Sequence, residues 1–356
     1  MKGVTISTSY PVQKTATPAV EKPKGKFLNY IHNFRGLAIL FVVGGHILLE
    51  WDTDSFSKKV LDAVWQNGTV LFIFIAGYLF QYLSKKYETT NYWLKKIRYV
   101  LIPYLIISIP AIVLRIYQPL YDTLVLYPGF EEWSLLKKIG YYYVSGSHLL
   151  PLWFIPMITI FYAIAPVLIK IDRNPRAYYI LPLLVVISLI VPRDELNNIP
   201  KMFVHFLSVY IFGMFFSHFN DQILKWSSKY WLFLTLSTVA LMIATIVTDS
   251  WYDPLMYLQK IFLCWFFVYW LWHFDEHVPT SLGTKTLADY SFGIFFLHYY
   301  FLLAIKLGFE YSFPSLLKGS VLNWSINFGL IMILNIACIA LAKRVLGKQS
   351  RYLIGC

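Results

Sequence analysis

The chain has 356 residues and a net charge of +12, yet 58% of its residues are hydrophobic and only 14% are charged. A soluble domain carries roughly 25% charged residues, so the composition excludes an ordinary soluble protein and points to a bilayer as the solvent. The positive charge does not indicate nucleic acid either, because the basic residues sit between apolar runs and not along one continuous face.

Residues 1–26 are polar, with Pro11, Pro18, Pro23 and scattered lysines, and no cleavage site follows the first apolar run. They read as a disordered cytoplasmic tail and not as a signal peptide. Apolar runs near the required ~20 residues follow at roughly 31–50, 64–83, 97–116, 150–169, 177–192, 202–218, 230–248, 254–272, 289–307 and 320–342. The stretch 138–149, with Tyr141, Tyr142 and Tyr143 before Ser145-Gly146-Ser147, is too short and polar to span and reads as an interfacial or re-entrant piece. Aromatic residues make up 19% of the chain and suit the headgroup boundary, where a ring is buried and its polar tip stays wet.

The expected architecture is an all-α integral membrane protein with about ten transmembrane helices. The transmembrane domain covers 27–345, and a short basic tail, 346–356, follows. With the N-terminus placed inside, twenty Lys and Arg residues fall on inner segments and seven on outer ones. The inner set includes Lys2, Lys14, Lys22, Lys24 and Lys26 in the tail and Lys85, Lys86, Lys95, Lys96 and Arg98 after the second run. That asymmetry predicts cytoplasmic N- and C-termini.

Cys264, Cys338 and Cys356 are too few and scattered for a disulfide framework or a metal site. No phosphate-binding glycine loop, paired-histidine metal motif or Gly-x-Ser-x-Gly elbow occurs, which disfavours a nucleotide-driven pump and a serine hydrolase. No metal is expected.

Ionisable residues inside spans are functional candidates by default. The first run carries Arg35 and, eleven positions on, His46. On a continuous helix they share nearly one face and stand roughly 16 Å apart. Gly44 and Gly45 beside the histidine allow close backbone approach. Glu50, at i+4 from His46, is placed to accept its ring N–H and fix the tautomer. Taken singly, Arg35 also reads as a snorkelling anchor, and His46 as a hydrogen-bonding partner of a neighbouring helix. In the ninth run Ser291 and His298 are seven apart and share a face. Trp153 reads as a residue of the interfacial aromatic belt, with ligand contact as the alternative. His205, His218, His273 and His277 fall at span ends or in loops, where solvated roles are expected, and Arg115, Lys260 and Lys306 read as snorkelling cations.

Phe34-Arg35-Gly36-Leu37-Ala38-Ile39-Leu40 through His46 resembles the signature of acyltransferase family 3, an Arg and then a His in the first helix. The stretch Gly68 to Leu79, the basic Lys95-Lys96-Ile97-Arg98 before Leu101-Ile102-Pro103, Leu152-Trp153-Phe154, and Tyr290 to His298 are similar to later landmarks of that family, in order. The resemblance implies O-acylation of an extracytoplasmic sugar or polysaccharide using cytoplasmic acyl-CoA, with acetyl-CoA the usual donor, in a bacterial inner membrane. It maps the family's Arg and His onto Arg35 and His46 and its basic loop onto Lys95, Lys96 and Arg98. Trp153, Ser291 and His298 become candidate substrate contacts. The expected partners are the lipid bilayer, acyl-CoA, a glycan acceptor and a polysaccharide synthase or export protein.

In the mechanism this suggests, Arg35, Lys95, Lys96 and Arg98 hold the anionic nucleotide end of the donor. The thioester then reaches His46 through the span. His46 is either general base toward a sugar hydroxyl, with Glu50 steadying the imidazolium, or a nucleophile that becomes acylated itself. A second reading, a glycan exporter, lacks the matching broken helices of such transporters. A third, a structural scaffold, makes the Arg–His pair accidental.

Overall fold

The computed structural model describes residues 27–52, 55–117, 129–193, 198–248, 252–275 and 282–356; the expected tail at 1–26 lies outside them. In chain order the helices are α1 Asn29–Gly44, α2 Phe56–Trp65, α3 Gly68–Tyr82, α4 Thr89–Lys96, α5 Ile102–Tyr117, α6 Leu135–Ser145, α7 Phe154–Ala163 and α8 Ala165–Asp172. They continue with α9 Leu181–Ile190, α10 Ile199–His218, α11 Asn220–Lys229, α12 Trp231–Val247, α13 Tyr252–Asp275, α14 Leu282–Ser312, α15 Val321–Leu346 and α16 Ser350–Leu353. Among the described residues no strand forms; one isolated backbone bridge joins Glu50 to Lys318.

Among the described residues six helices are long and apolar enough to cross a membrane, and up to eight if each of two sharply bent pairs is one span. Every expected apolar run is largely helical, but 31–50 and 177–192 give helices shorter than a full crossing. The first run stops being helical at Gly44, well before Glu50, and the helix of the second spans only Pro175–Ile190. The stretch expected to be re-entrant is half of a bent pair: Leu135–Ser145 meets Leu150–Ala163 at 73°.

α1 is the inner helix of the bundle. Its first half (Tyr30, Ile31, Phe34, Ala38) belongs to a core shared with α3, α7, α10 and α13. Its second half (Ile39, Val42, Val43) belongs to another core, shared with α5, α14 and α15. Large apolar side chains such as Leu232, Leu236 and Ile243 of α12 and Ile109 and Val113 of α5 face outward, as a lipid-facing surface requires. With no hydrophobic force between helices in lipid, small residues permit close packing. A Cβ at Gly77 would strike the Tyr210 carbonyl, and one at Gly213 the Phe74 carbonyl, so α3 and α10 meet backbone to backbone.

The helix running from α4 into α5 contains a π turn at Ile97–Leu101. Pro103 has no amide to offer the carbonyl four residues earlier, and the widened turn falls where that bond would be. Residues 346–356 do not form a separate tail. They fold into a 3₁₀ turn and α16, with Tyr352 stacked on Tyr99. Cys356 packs against Gly293, where a Cβ would come within 2.5 Å of its sulfur. Both ends of the described chain therefore lie at the Arg35 end of α1.

Candidate active site

α1 ends on two glycines because the chain crosses the α2–α3 junction there. A Cβ at Gly44 would overlap the Trp65 indole, and one at Gly45 would lie 2.8 Å from the Trp65 carbonyl. Helix termination leaves the Val42 carbonyl without its usual amide, since the His46 amide bonds Val43 instead (3.1 Å). The His46 side chain takes the vacancy, its Nδ1 2.6 Å from the Val42 oxygen. A carbonyl only accepts, so Nδ1 carries the hydrogen and Nε2 is left as a lone-pair base.

His298, in the middle of α14, repeats this arrangement. Its Nδ1 is 2.9 Å from the carbonyls of both Ile294 and Phe295, and its buried Nε2 has no partner. The two imidazoles approach with ring centroids 5.2 Å apart, and Tyr299 stands edge-on to His46 at 6.0 Å. His46 borders a small, mainly apolar cavity of about 30 Å³ walled by Phe72, Trp153, Phe154, Phe292 and Phe295.

Seven residues before His298 on the same helix, Ser291 meets Arg35. The Arg35 Nε donates to Ser291 Oγ at 3.1 Å and its Nη2 to the Ala288 carbonyl at 2.6 Å. Asp289 lies 3.4 Å from His32 and within electrostatic range of Arg35. Thus α14 holds both ends of the Arg35–His46 axis, as the shared face of Ser291 and His298 suggested.

Glu50 corrects the sequence expectation. Because α1 ends at Gly44, Glu50 is not one turn beyond His46. It sits exposed in the backbone bridge, its amide on the Leu317 carbonyl (2.8 Å) and its carbonyl accepting from Gly319 (2.7 Å). The Val42 carbonyl, and not a carboxylate, fixes the His46 tautomer.

The basic loop does not converge as a unit. Lys96 folds over Tyr162 and Tyr92, with its Nζ 4.4 and 5.2 Å from the ring centroids. Arg98 is exposed in the π turn and lies 5.5 Å over Tyr352; Lys95 is exposed on α4. Arg351, from the segment read as a tail, sits 4.1 Å over Tyr99 and within electrostatic range of Arg35. Its place beside Arg35 depends on the return of the C-terminal segment, which no local sequence pattern signals.

Trp153 is not a belt residue. It is 4% exposed, stacks on Phe206 (5.9 Å, 15°) and forms part of the His46 cavity wall. Against its other side stands the Arg193 guanidinium, 5.3 Å from the indole centroid. Burial lowers the Arg193 pKa to about 10, which leaves it charged at neutral pH. Beyond Arg193 opens a cavity of about 400 Å³ lined by Gln66, His205, Asp253, Tyr257 and Lys260 among others.

Lys260 and His205 are each 8% exposed, so neither snorkels nor sits in solvent as expected. Their signal was present in the sequence, as ionisable residues within apolar runs. His218 likewise faces a partner, with Nδ1 2.8 Å from Asp172.

Among the described residues no cluster of His, Cys, Asp and Glu is arranged to hold a metal ion. Neither a curated protein nor a solved structure matches the chain. The family model for an acyltransferase domain matches residues 28–344, a stretch that holds the Arg35–His46 axis and both cavities. With a helical membrane bundle built around that axis and a match over nearly its whole length, the chain belongs to acyltransferase family 3.

Proposed function

We propose that this membrane acyltransferase moves an acetyl group from cytoplasmic acetyl-CoA to a hydroxyl of an extracytoplasmic sugar or polysaccharide, with His46 as the general base. The observation that carries this reading is the polarity of the axis. A half-buried base faces a small cavity at one end of α1, and an arginine with further cations stands at the other. Arg35, Arg351 and Arg98 suit the phosphates of the donor. The small, mainly apolar cavity beside His46 suits a short acyl group such as acetyl.

His46 Nε2 takes the hydroxyl proton as the oxygen attacks the thioester carbonyl. The C–S bond then breaks, and the imidazolium returns its proton to the departing sulfur, leaving an ester and a free thiol. His298, with its Nε2 aimed into the same region, holds the hydroxyl or shares the proton. Arg35 acts at the donor end and Trp153 forms the acceptor-side wall.

In this reading all ten helical runs are crossings of the cell membrane and both chain ends are cytoplasmic. α1 is about 24 Å long, short of the ~30 Å hydrocarbon core. Surrounded by protein, it does not need to reach the headgroups itself. The common side of Phe27 and Cys356 supports an even number of crossings.

The test is transfer of labelled acetyl from acetyl-CoA to glycan acceptors in inside-out vesicles, wild type against His46→Ala. Label in a glycan with the wild type and none with a folded variant supports the assignment. Equal labelling by both overturns the role of His46. No labelling by folded wild type across several acceptors and donors overturns the O-acetyl reading in favour of glycan export.

A further inference from the structure

The cavity behind Trp153 holds charges that the acyl-transfer chemistry leaves unused. Arg193 and Lys260 enter it from the end of α9 and from α13, and Asp253 is the one carboxylate lining it among the described residues. Arg193 Nε is buried without a hydrogen-bond partner. Lys260, 8% exposed, has no ion pair within 4 Å among the described residues. His205 is committed elsewhere, its Nδ1 2.7 Å from the Val191 carbonyl. Tyr257 is held by a chain of hydrogen bonds through Ser208 to Ser188, each 2.6 Å. Asp253 lies within electrostatic range of Lys260 without forming an ion pair to it, so the two cations outnumber the one carboxylate of the lining.

Burying a cation without a partner is costly, and within a membrane protein such a group marks a substrate path. At about 400 Å³ the cavity falls within the ~300–1,000 Å³ typical of small-ligand sites. Arg193 leans on Trp153, whose indole walls the His46 cavity. A ligand gripped by Arg193 thus lies one side chain away from the base.

We propose that this cavity binds the acceptor glycan through an anionic substituent, a carboxylate or a phosphodiester, held between the Arg193 guanidinium and the Lys260 ammonium. The hydroxyl to be acylated then reaches His46 past Trp153. Arg193 supplies a planar fork suited to two oxygens, and Lys260 a point charge. Both are positioning residues for the acceptor; neither touches the reacting carbonyl. The inference rests on the acyltransferase reading but concerns recognition only, so it is tested without a donor.

The experiment is equilibrium binding to the purified full-length protein in nanodiscs. Three probes are compared: tetragalacturonate, its carboxyl-reduced counterpart, and a glycerol-phosphate trimer. At least one anionic probe is expected to bind about tenfold or more tightly than the reduced one, and the one preferred identifies the oxyanion. Lys260→Met and Arg193→Gln should each erase most of that advantage, and Lys260→Arg should keep it. Thermal unfolding of each variant confirms folding. Equal binding of the charged and reduced probes, or an advantage that survives both charge-removing variants, overturns the clamp. The transfer assay decides the other reading separately: wild type that acetylates neutral and anionic acceptors equally remains an acyltransferase without this clamp.

Discussion

At the Arg35 end the cations are wrapped. Arg35 donates to Ser291 and Ala288, Lys96 lies over two tyrosines, Arg351 over Tyr99 and Lys343 over Tyr290. At the His46 end Arg193 and Lys260 line a partly open cavity, Lys260 is buried, and an Arg193 N–H is left unanswered. Ring faces beside the exposed Arg351 and Lys343 contribute about 0.5–1 kcal/mol each and leave those charges available to a large polyanion arriving from water. A cation enclosed in low dielectric calls for a specific counter-charge. The first end is thus suited to gripping a mobile, multiply charged donor, and the second to selecting one group on an acceptor.

Substitutions at the two ends should separate in kinetics. The largest effect belongs to His46→Ala, which should lower kcat for acyl transfer by about 10²–10⁴, the usual worth of a general base, with the KM for donor little changed. A weak kcat effect would move the base to His298. Arg35→Gln comes next. Loss of a charge-assisted contact should raise the KM for the donor about ten- to a hundredfold, and a fall in kcat at constant KM would dissolve the division between ends.

Ser291→Ala removes one of the two bonds that hold Arg35 and should raise the same KM only a few fold, about 1 kcal/mol. A loss as large as that of Arg35→Gln would mean that Ser291 itself touches substrate. The smallest effect is expected of Glu50→Gln, because its side chain is exposed, the Val42 carbonyl holds the His46 ring, and its bridge is made by backbone. A tenfold fall in kcat would restore the carboxylate to the site.

The site was legible where helical periodicity holds and hidden where it stops. Arg35, Ser291 and His298 were read on the correct faces because those stretches are continuous helix. Glu50 was misplaced because the i+4 rule was carried past Gly44, where contact with Trp65 ends the helix. Trp153, His205 and Lys260 were assigned to the membrane boundary from their positions near span ends. Depth along a helix is visible in a sequence, but the direction a side chain faces at that depth depends on the neighbours.

The sequence by itself determined the solvent, the helical class, the approximate position of each apolar run and the Arg–His axis, because composition and spacing within one helix are local quantities. Only the tertiary structure decided that α1 stops at Gly44 and that His46 meets His298. It alone returned Arg351 to Arg35 and enclosed Arg193 with Lys260 in one cavity. Each of these depends on residues tens to hundreds of positions apart, brought together by close helix packing that no single run encodes.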